Sequence, residues 1–405
     1  MTADPKLFPL SGKVQHYQWG GFVYIPDLLG VNNTAHRPFA EYWLGAHING
    51  PAVIAGGKQL PDFLKEHPAF LGTRTQNAFG RLPYLLKILD VKDMLSIQVH
   101  PDKKSAAGAF ARENEAGIAR DDPRRNYNDD NHKPELMVAL GEFWLLHGFL
   151  VPDKLIASLR SVPEFEELLP VFGSGNYRAL YEKVMTMDQQ VVNRVLRPVL
   201  DRIVPAYQSG NLEKSDPAFW AARAALTFSR QDNHIDRGIF SIYLFNIVRL
   251  RKGEAVFQDA GILHAYLEGQ NVEIMANSDN VLRGGLTPKH VDVPELLKHV
   301  VFKAVVPDIL RGDAAGAHET VFHTIAPDFE LSRILLPAGS AETFTVSGTD
   351  IFLVIDGTVE AAEQGHVVTA GKGAAFIGGN GAVIACRALS ACEIYRASVP
   401  VPAGM

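Results

Sequence analysis

The segment SIQVHP at 96–101 sets two polar side chains, Gln98 and His100, among apolar neighbours. Side chains alternate along a strand, so residues two apart share a face, and Pro101 then ends regular pairing. Histidine is a common metal ligand and an amide an uncommon one, so alone the pair is equally well read as structural. Glu135 opens the apolar run of NHKPELMVAL and is either a ligand at a barrel mouth or a solvated strand-end charge. His132 and Lys133 precede it in the same turn. His264, between Leu263 and Ala265, completes a His/Glu/His set drawn from three distant segments. Arg283 follows an NSDN turn and precedes Gly284 and Gly285, where bare backbone admits a ligand closely. Each of these residues taken singly is more often structural, and residue types and spacing alone go no further than a candidate metal site in a β-barrel.

The elements that must position these residues are mostly short strands. LPYLLKILDV, MLSIQVHP and PELMVAL are apolar runs of strand length bounded by turn residues. SAAGAFARENEAGI predicts a helix, and DDPRRNYNDDNHKP a loop. From 151 to 232 the pattern changes. Leu180, Val184, Met187, Val191, Val195 and Ile203 recur mostly at three- and four-residue steps, which predicts one amphipathic helix. DPAFWAARAALTFSRQ predicts another, with Asp216 as cap and Pro217 in its first turn. Strand alternation is expected again from about Ile239, and VDVPELLKHVVF predicts a short helix capped by Asp292. In the last 75 residues the pair Asp356-Gly357 between apolar runs predicts a hairpin. Glycines 378, 379 and 381 do not make a nucleotide loop, because no helix follows them. Two β-rich regions around a helical block predict a mainly β fold. It comprises two jelly-roll barrels with an inserted α-helical domain. Residues 1–150 and 233–324 would form the discontinuous first region, 151–232 the insertion and 325–405 the second barrel.

The whole chain narrows the function classes. A formal net charge of -6 over 405 residues gives no basic footprint for nucleic acid. Two cysteines, Cys386 and Cys392, make no disulfide framework and fit a reducing compartment. The first residues carry no secretory pattern, and no apolar stretch reaches the roughly 20 residues that span a bilayer. A cytoplasmic protein without membrane contact is expected.

Six blocks carry a resemblance: QHYQWG, AEYWLGAH, LPYLLKILDVKDMLSIQVHPDK, NHKPELMVAL, LHAYL and MANSDNVLRGGLTPKHVDVPELL. In order and spacing they resemble the signature blocks of type I mannose-6-phosphate isomerases, a cupin family, from about residue 15 to 300. The resemblance implies cupin-type barrels and one zinc ion per chain, held by Gln98, His100, Glu135 and His264. It places Ser96, Lys87, His132, Lys133, Glu273, Asp279, Arg283 and Lys289 around a sugar phosphate. The expected partner is that small molecule, with a monomer expected and oligomers left open. The C-terminal barrel offers only His366 and scattered acids, so no metal is expected there.

The implied reaction interconverts mannose 6-phosphate and fructose 6-phosphate. Its hard step removes a proton alpha to a carbonyl and leads through a cis-enediol(ate), which a cation must stabilise. Arg283 would be catalytic, with Lys133, His132, Glu273 and Asp279 as further catalytic candidates. Ser96, Lys87 and Lys289 would bind substrate. The choice of base stays open among Glu273, Asp279, His132 and Lys133, and so does a hydride shift. Two rivals share the fold: an iron oxygenase using two histidines and a carboxylate, and a sugar-binding protein without catalysis.

Overall fold

The computed structural model of the chain describes residues 5–54, 56–228 and 234–401. Its β structure falls into three antiparallel sheets of nine, ten and four strands. The ten-stranded sheet positions the residues singled out above. Its central strand Tyr84–Val91 is buried along its whole length, because both faces meet core. Tyr84, Leu86 and Ile88 pack outward with Ile351, Leu353 and Tyr395 of the nine-stranded sheet. Leu89 and Val91 point the other way, against Met137, Phe143 and Tyr266. Lys87 shares that inward parity, which sends a cation into the barrel.

The 13-residue strand His264–Ala276 pairs with both parts of this sheet. Its first residues pair with Phe143–Phe149, and Gly269 onward pairs with Tyr84–Val91. The register shifts between Tyr266 and Glu268, and Gly269 follows with φ of 127°. A Cβ there would lie 2.6 Å from the Glu142 carbonyl oxygen, so the bend needs glycine.

Between Pro152 and Phe228 the described elements are all helical, from Pro152–Arg160 to Pro217–Phe228. Phe165, Tyr181 and Trp220 of this block share a core with Trp144, Leu146 and Phe149 on the barrel wall. Tyr177–Thr186 and Gln189–Gln208 are two helices where the spacing predicted one. Asp188 has extended ψ and resets the phase, so the second helix buries Val192, Leu196, Val199 and Leu200. Val191 and Val195 lie one residue off that face, while Ile203 continues it and packs at its margin. Gly238–Leu244 is also helical, and the strand expected from Ile239 begins at Phe245. Gly238 packs directly on the loop after Arg283, where a Cβ would sit 2.5 Å from the Leu286 nitrogen.

The nine-stranded and four-stranded sheets enclose a core of Phe344, Phe352, Val359, Ile384 and Ile394. Asp356-Gly357 is not a hairpin. Asp350–Asp356 lies in the larger sheet and Thr358–Glu363 in the smaller, so Gly357, with φ of 80°, turns a corner between them. The hairpin lies one strand later, where Thr358–Glu363 pairs with His366–Gly371. The nine-stranded sheet also takes Leu7–Ser11 and Val53–Ile54, and Glu319–Phe322 pairs with Glu330–Leu336. Among the described residues no helix is long and apolar enough to cross a membrane.

A chain ending at residue 324 would lose Ile351, Leu353, Tyr395 and Ala397 from the core they share with Tyr84, Leu86 and Ile88. It is expected to be insoluble or to bind an apolar dye strongly, since a large patch of apolar surface becomes exposed. Soluble expression with cooperative thermal unfolding would contradict this.

Candidate metal centre

His100, Glu135 and His264 come together in the interior beside the ten-stranded sheet, their ligand atoms all within 4.8 Å of one another. Each arrives on a different element. Glu135 begins the strand Glu135–Ala139, His264 begins the long bent strand, and His100 follows directly on Gln98–Val99. The Glu135 oxygens lie 3.4 Å from His100 Nε2 and 3.3 Å from His264 Nε2. Both imidazoles are held from behind. His100 Nδ1–H donates to the Asn280 carbonyl at 2.9 Å, and His264 Nδ1–H to the Ile262 carbonyl at 2.9 Å. Those bonds fix the tautomers and turn both Nε2 lone pairs toward Glu135, the arrangement metal-binding histidines use.

Gln98 stands directly opposite His264 in one pairing and opposite Arg283 in the other, so the three share a face. Lys133 Nζ is 2.9 Å from Glu135 Oε1. Across the barrel, Lys87 Nζ is 3.1 Å from Glu273 Oε2 and 3.5 Å from Glu41 Oε2. Tyr266 donates its hydroxyl to Glu273 Oε1 at 2.9 Å.

The electrostatics fit a cation. Burial opposes ionisation of Glu135, yet Lys133 and His100 outweigh it and hold the carboxyl well below its ordinary pKa. Burial would likewise lower the Lys87 pKa, but Glu41, Glu273 and Glu135 together raise it. Burial raises the Glu273 pKa, with Lys87 opposing and Glu135 reinforcing the rise. Burial presses His100 down to about 4, so the imidazole is neutral and able to ligate. Its Nε2 is buried without a hydrogen bond among the described residues. Three buried carboxylates, Glu41, Glu135 and Glu273, face two buried ammonium groups, Lys87 and Lys133. The interior therefore carries a negative charge in excess and an orphaned nitrogen lone pair, both of which a divalent metal would satisfy.

The other expected residues divide. Ser96 lies in the half-buried approach to Gln98. Asp279 is at the rim and is clasped by the loop after Gly45, with His47 Nε2 at 3.3 Å and Asn49 Nδ2 donating at 2.7 Å. Burial would raise its pKa, but the bond and charge of His47 bring it below the ordinary value. His132 is turned away from the cluster, with Nε2 2.8 Å from Asp328. Arg283 is half-buried, its guanidinium without an acidic partner among the described residues, and burial lowers its pKa. Lys289 is exposed, and desolvation followed by the nearby Arg283 charge lowers its pKa. Gly284 and Gly285 admit protein where ligand was expected. Added Cβ atoms would meet the Tyr181 hydroxyl at 2.6 Å and the Gly238 Cα at 2.5 Å.

Several neighbours were missed. His147 stands opposite His264 and shares a 2.8 Å hydrogen bond with Gln258 Oε1. Burial lowers its pKa to about 4, with His264 acting in the same direction. Its signal was a lone histidine within the apolar FWLLHGF. Glu41 and Trp43 sit in AEYWLGAH, where strand parity alone would have put both on one face.

Residues 7–151 match the family described as phosphomannose isomerase type I, catalytic domain. The mannose-6-phosphate isomerase of Salmonella typhimurium is 34% identical over 379 residues, covering 91% of this chain and 94% of that protein. That of Rattus norvegicus is 32% identical over 422 residues, covering 94% and 96%. The crystal structure of the Salmonella typhimurium enzyme bound to its substrate fructose 6-phosphate and to zinc superposes with a TM-score of 0.86. It is 31% identical and covers 98% of this chain and 100% of its own. Similar to these enzymes along nearly its whole length, and carrying the His/Glu/His cluster in its interior, the chain belongs to the type I phosphomannose isomerases.

Proposed function

We propose that this chain interconverts D-mannose 6-phosphate and D-fructose 6-phosphate at a zinc site made by Gln98, His100, Glu135 and His264. The observation that carries the reading is the convergence of two oriented Nε2 lone pairs on the buried Glu135 carboxylate. A similar structure, bound to fructose 6-phosphate and zinc, supports the substrate and the metal. We also assign the two β regions as cupin-type jelly rolls and the helical block as an insertion between halves of the first.

When bound, zinc supplies a Lewis acid for the negative charge that develops on the substrate oxygens. The chain's own groups do the rest. Arg283, with no acidic partner among the described residues, and Lys289 beside it offer fixed positive charge for phosphate or for the oxyanion. Ser96 stands on the approach to Gln98. The proton must pass between C2 and C1 through a cis-enediol(ate). Of the four base candidates, His132 is committed to Asp328 and Asp279 to His47 and Asn49. Lys133 is likewise paired with Glu135, and Glu273 with Lys87 and Tyr266, so partnering does not choose among the four; the raised pKa of Glu273 suits a group that both takes and returns a proton. Lys87 holds Glu273 in place.

Turnover in deuterated water tests the proton path. Deuterium is expected at the transferred position of the product, because the base exchanges with solvent during the enediol's lifetime. Complete retention of the substrate hydrogen would favour a hydride shift.

Glu135→Ala and His264→Ala are each expected to lose zinc and activity together, measured by metal analysis of the purified variants. Full zinc occupancy in both would sink the ligand assignment.

Arg283→Ala is expected to keep fold and zinc while turnover falls by at least roughly 10²-fold, the scale of one preorganised donor. Lys at this position should rescue only in part, since a point charge does not reproduce a planar fork. Steady-state kinetics beside metal content and circular dichroism decide it, and near-normal turnover in the Ala variant would make Arg283 structural.

A further inference from the structure

Two turns distant in sequence interlock beside the metal cluster. One is the Asn128–Asn131 turn that leads into Lys133 and Glu135; the other is the Asn277–Asn280 turn that leads into Arg283. Asp129 joins them. Its Oδ1 accepts from the Ser278 hydroxyl at 2.8 Å, the Asn280 amide at 3.2 Å and the Asn131 N–H at 3.0 Å. Its Oδ2 accepts from the Asp279 N–H at 2.7 Å. Asn280 answers across the same gap. Its side-chain oxygen accepts from the N–H groups of Asn128 and Asp129, at 2.8 and 3.3 Å, and its amide donates to the carbonyls of Asp129 and Asn131, at 2.8 and 2.9 Å. Ser278 and Asn280 are both buried, so water cannot replace these bonds cheaply.

The interlock reaches the metal site through one atom. The Asn280 carbonyl accepts the His100 Nδ1–H, and among the described residues that is the only hydrogen bond the His100 ring makes. Where Asn280 sits therefore decides where His100 Nε2 points. The same clamp sets the backbone of Asp279 and, from the other turn, the approach of the chain to Lys133 and Glu135. We propose that Asp129 is a positioning residue of the metal centre, acting on His100 through the Asn280 carbonyl without touching metal or substrate. The proposal rests on the reading of His100, Glu135 and His264 as metal ligands.

Groups hydrogen-bonded directly to a metal ligand, as the Asn280 carbonyl is, typically change metal affinity by about 10–100-fold when lost, and Asp129 stands one residue behind that group, so the low end of the range is the expected scale. The test compares the zinc-loaded wild type with Asp129→Ala, Asp129→Asn and Tyr127→Phe. Tyr127 anchors the same loop elsewhere, through Glu295 and His299, each at 2.7 Å, and among the described residues it shares no hydrogen bond with the Asn277–Asn280 turn. Zinc release into excess chromogenic chelator and the visible bands of the cobalt-substituted protein are the readouts. Asp129→Ala should release zinc at least about 10-fold faster and shift the cobalt bands. Asp129→Asn, which keeps one acceptor oxygen and the shape, should fall between it and the wild type. Tyr127→Phe should match the wild type in both. If Asp129→Ala does not fold, Asp129→Asn carries the test. Wild-type release and spectrum in the Asp129 variants would overturn the proposal, as would an equal change in Tyr127→Phe. A wild-type protein that takes up no zinc, or a His264→Ala variant that retains it, would instead defeat the ligand reading beneath it.

Discussion

Everything near the metal centre answers to one costly fact, a carboxylate buried at Glu135. An isolated ionised group in such a place would be strongly unfavourable, and the chain would neutralise or expose it. Glu135 stays ionised because the Lys133 ammonium pairs with it, while His100 and His264 turn Nε2 lone pairs toward it and leave the cluster for a cation to complete. Those imidazoles come from segments more than a hundred and fifty residues apart (His100 and His264), so the long-range strand pairing has to form before the cluster assembles. The bend at Gly269 follows from this need. It lets one strand carry His264 at one end and Glu273, close enough to feel the Glu135 charge, further on.

The rest of the molecule supports that arrangement from outside. The helical block packs on the wall formed by Phe143–Phe149, and it also reaches the loop after Arg283. Asp236 accepts from the Leu286 and Thr287 N–H groups at 2.9 and 3.0 Å, pinning the loop that ends at Lys289. Leu286 is buried there with φ of 53°, a conformation a leucine adopts only when its surroundings enforce it. Helices far from the chemistry thus hold the cations at its rim.

Much of the architecture was legible because strand parity and helix period are local properties. The strands at Tyr84 and Glu135 and the caps at Asp216 and Asp292 followed from side-chain type alone. The metal cluster could be named but not assembled from local rules, since no local rule says that residues 100, 135 and 264 meet. What escaped was decided by tertiary contact. Asp356-Gly357 has the composition of a hairpin, but its second strand gains more by pairing in the other sheet. Gly284 and Gly285 have the composition of a ligand loop, but a tyrosine and a glycine from the helical region fill the space. His132 lies in the same turn as Lys133, yet the buried Asp328 draws it toward the C-terminal region.

Leu7–Ser11 sits inside the nine-stranded sheet, with Ala375–Gly378 on one side and Val53–Ile54 on the other. On a ribosome adding about 5–20 residues per second, such a strand leaves the exit tunnel roughly 20–70 s before its main neighbour is made. Throughout that interval Leu7 and Leu10, both buried in the finished protein, have no sheet to enter. The sheet becomes whole only once Ala375–Gly378 and Cys392–Ser398 have followed, so the frame closes well after the segments that supply the metal cluster have been made.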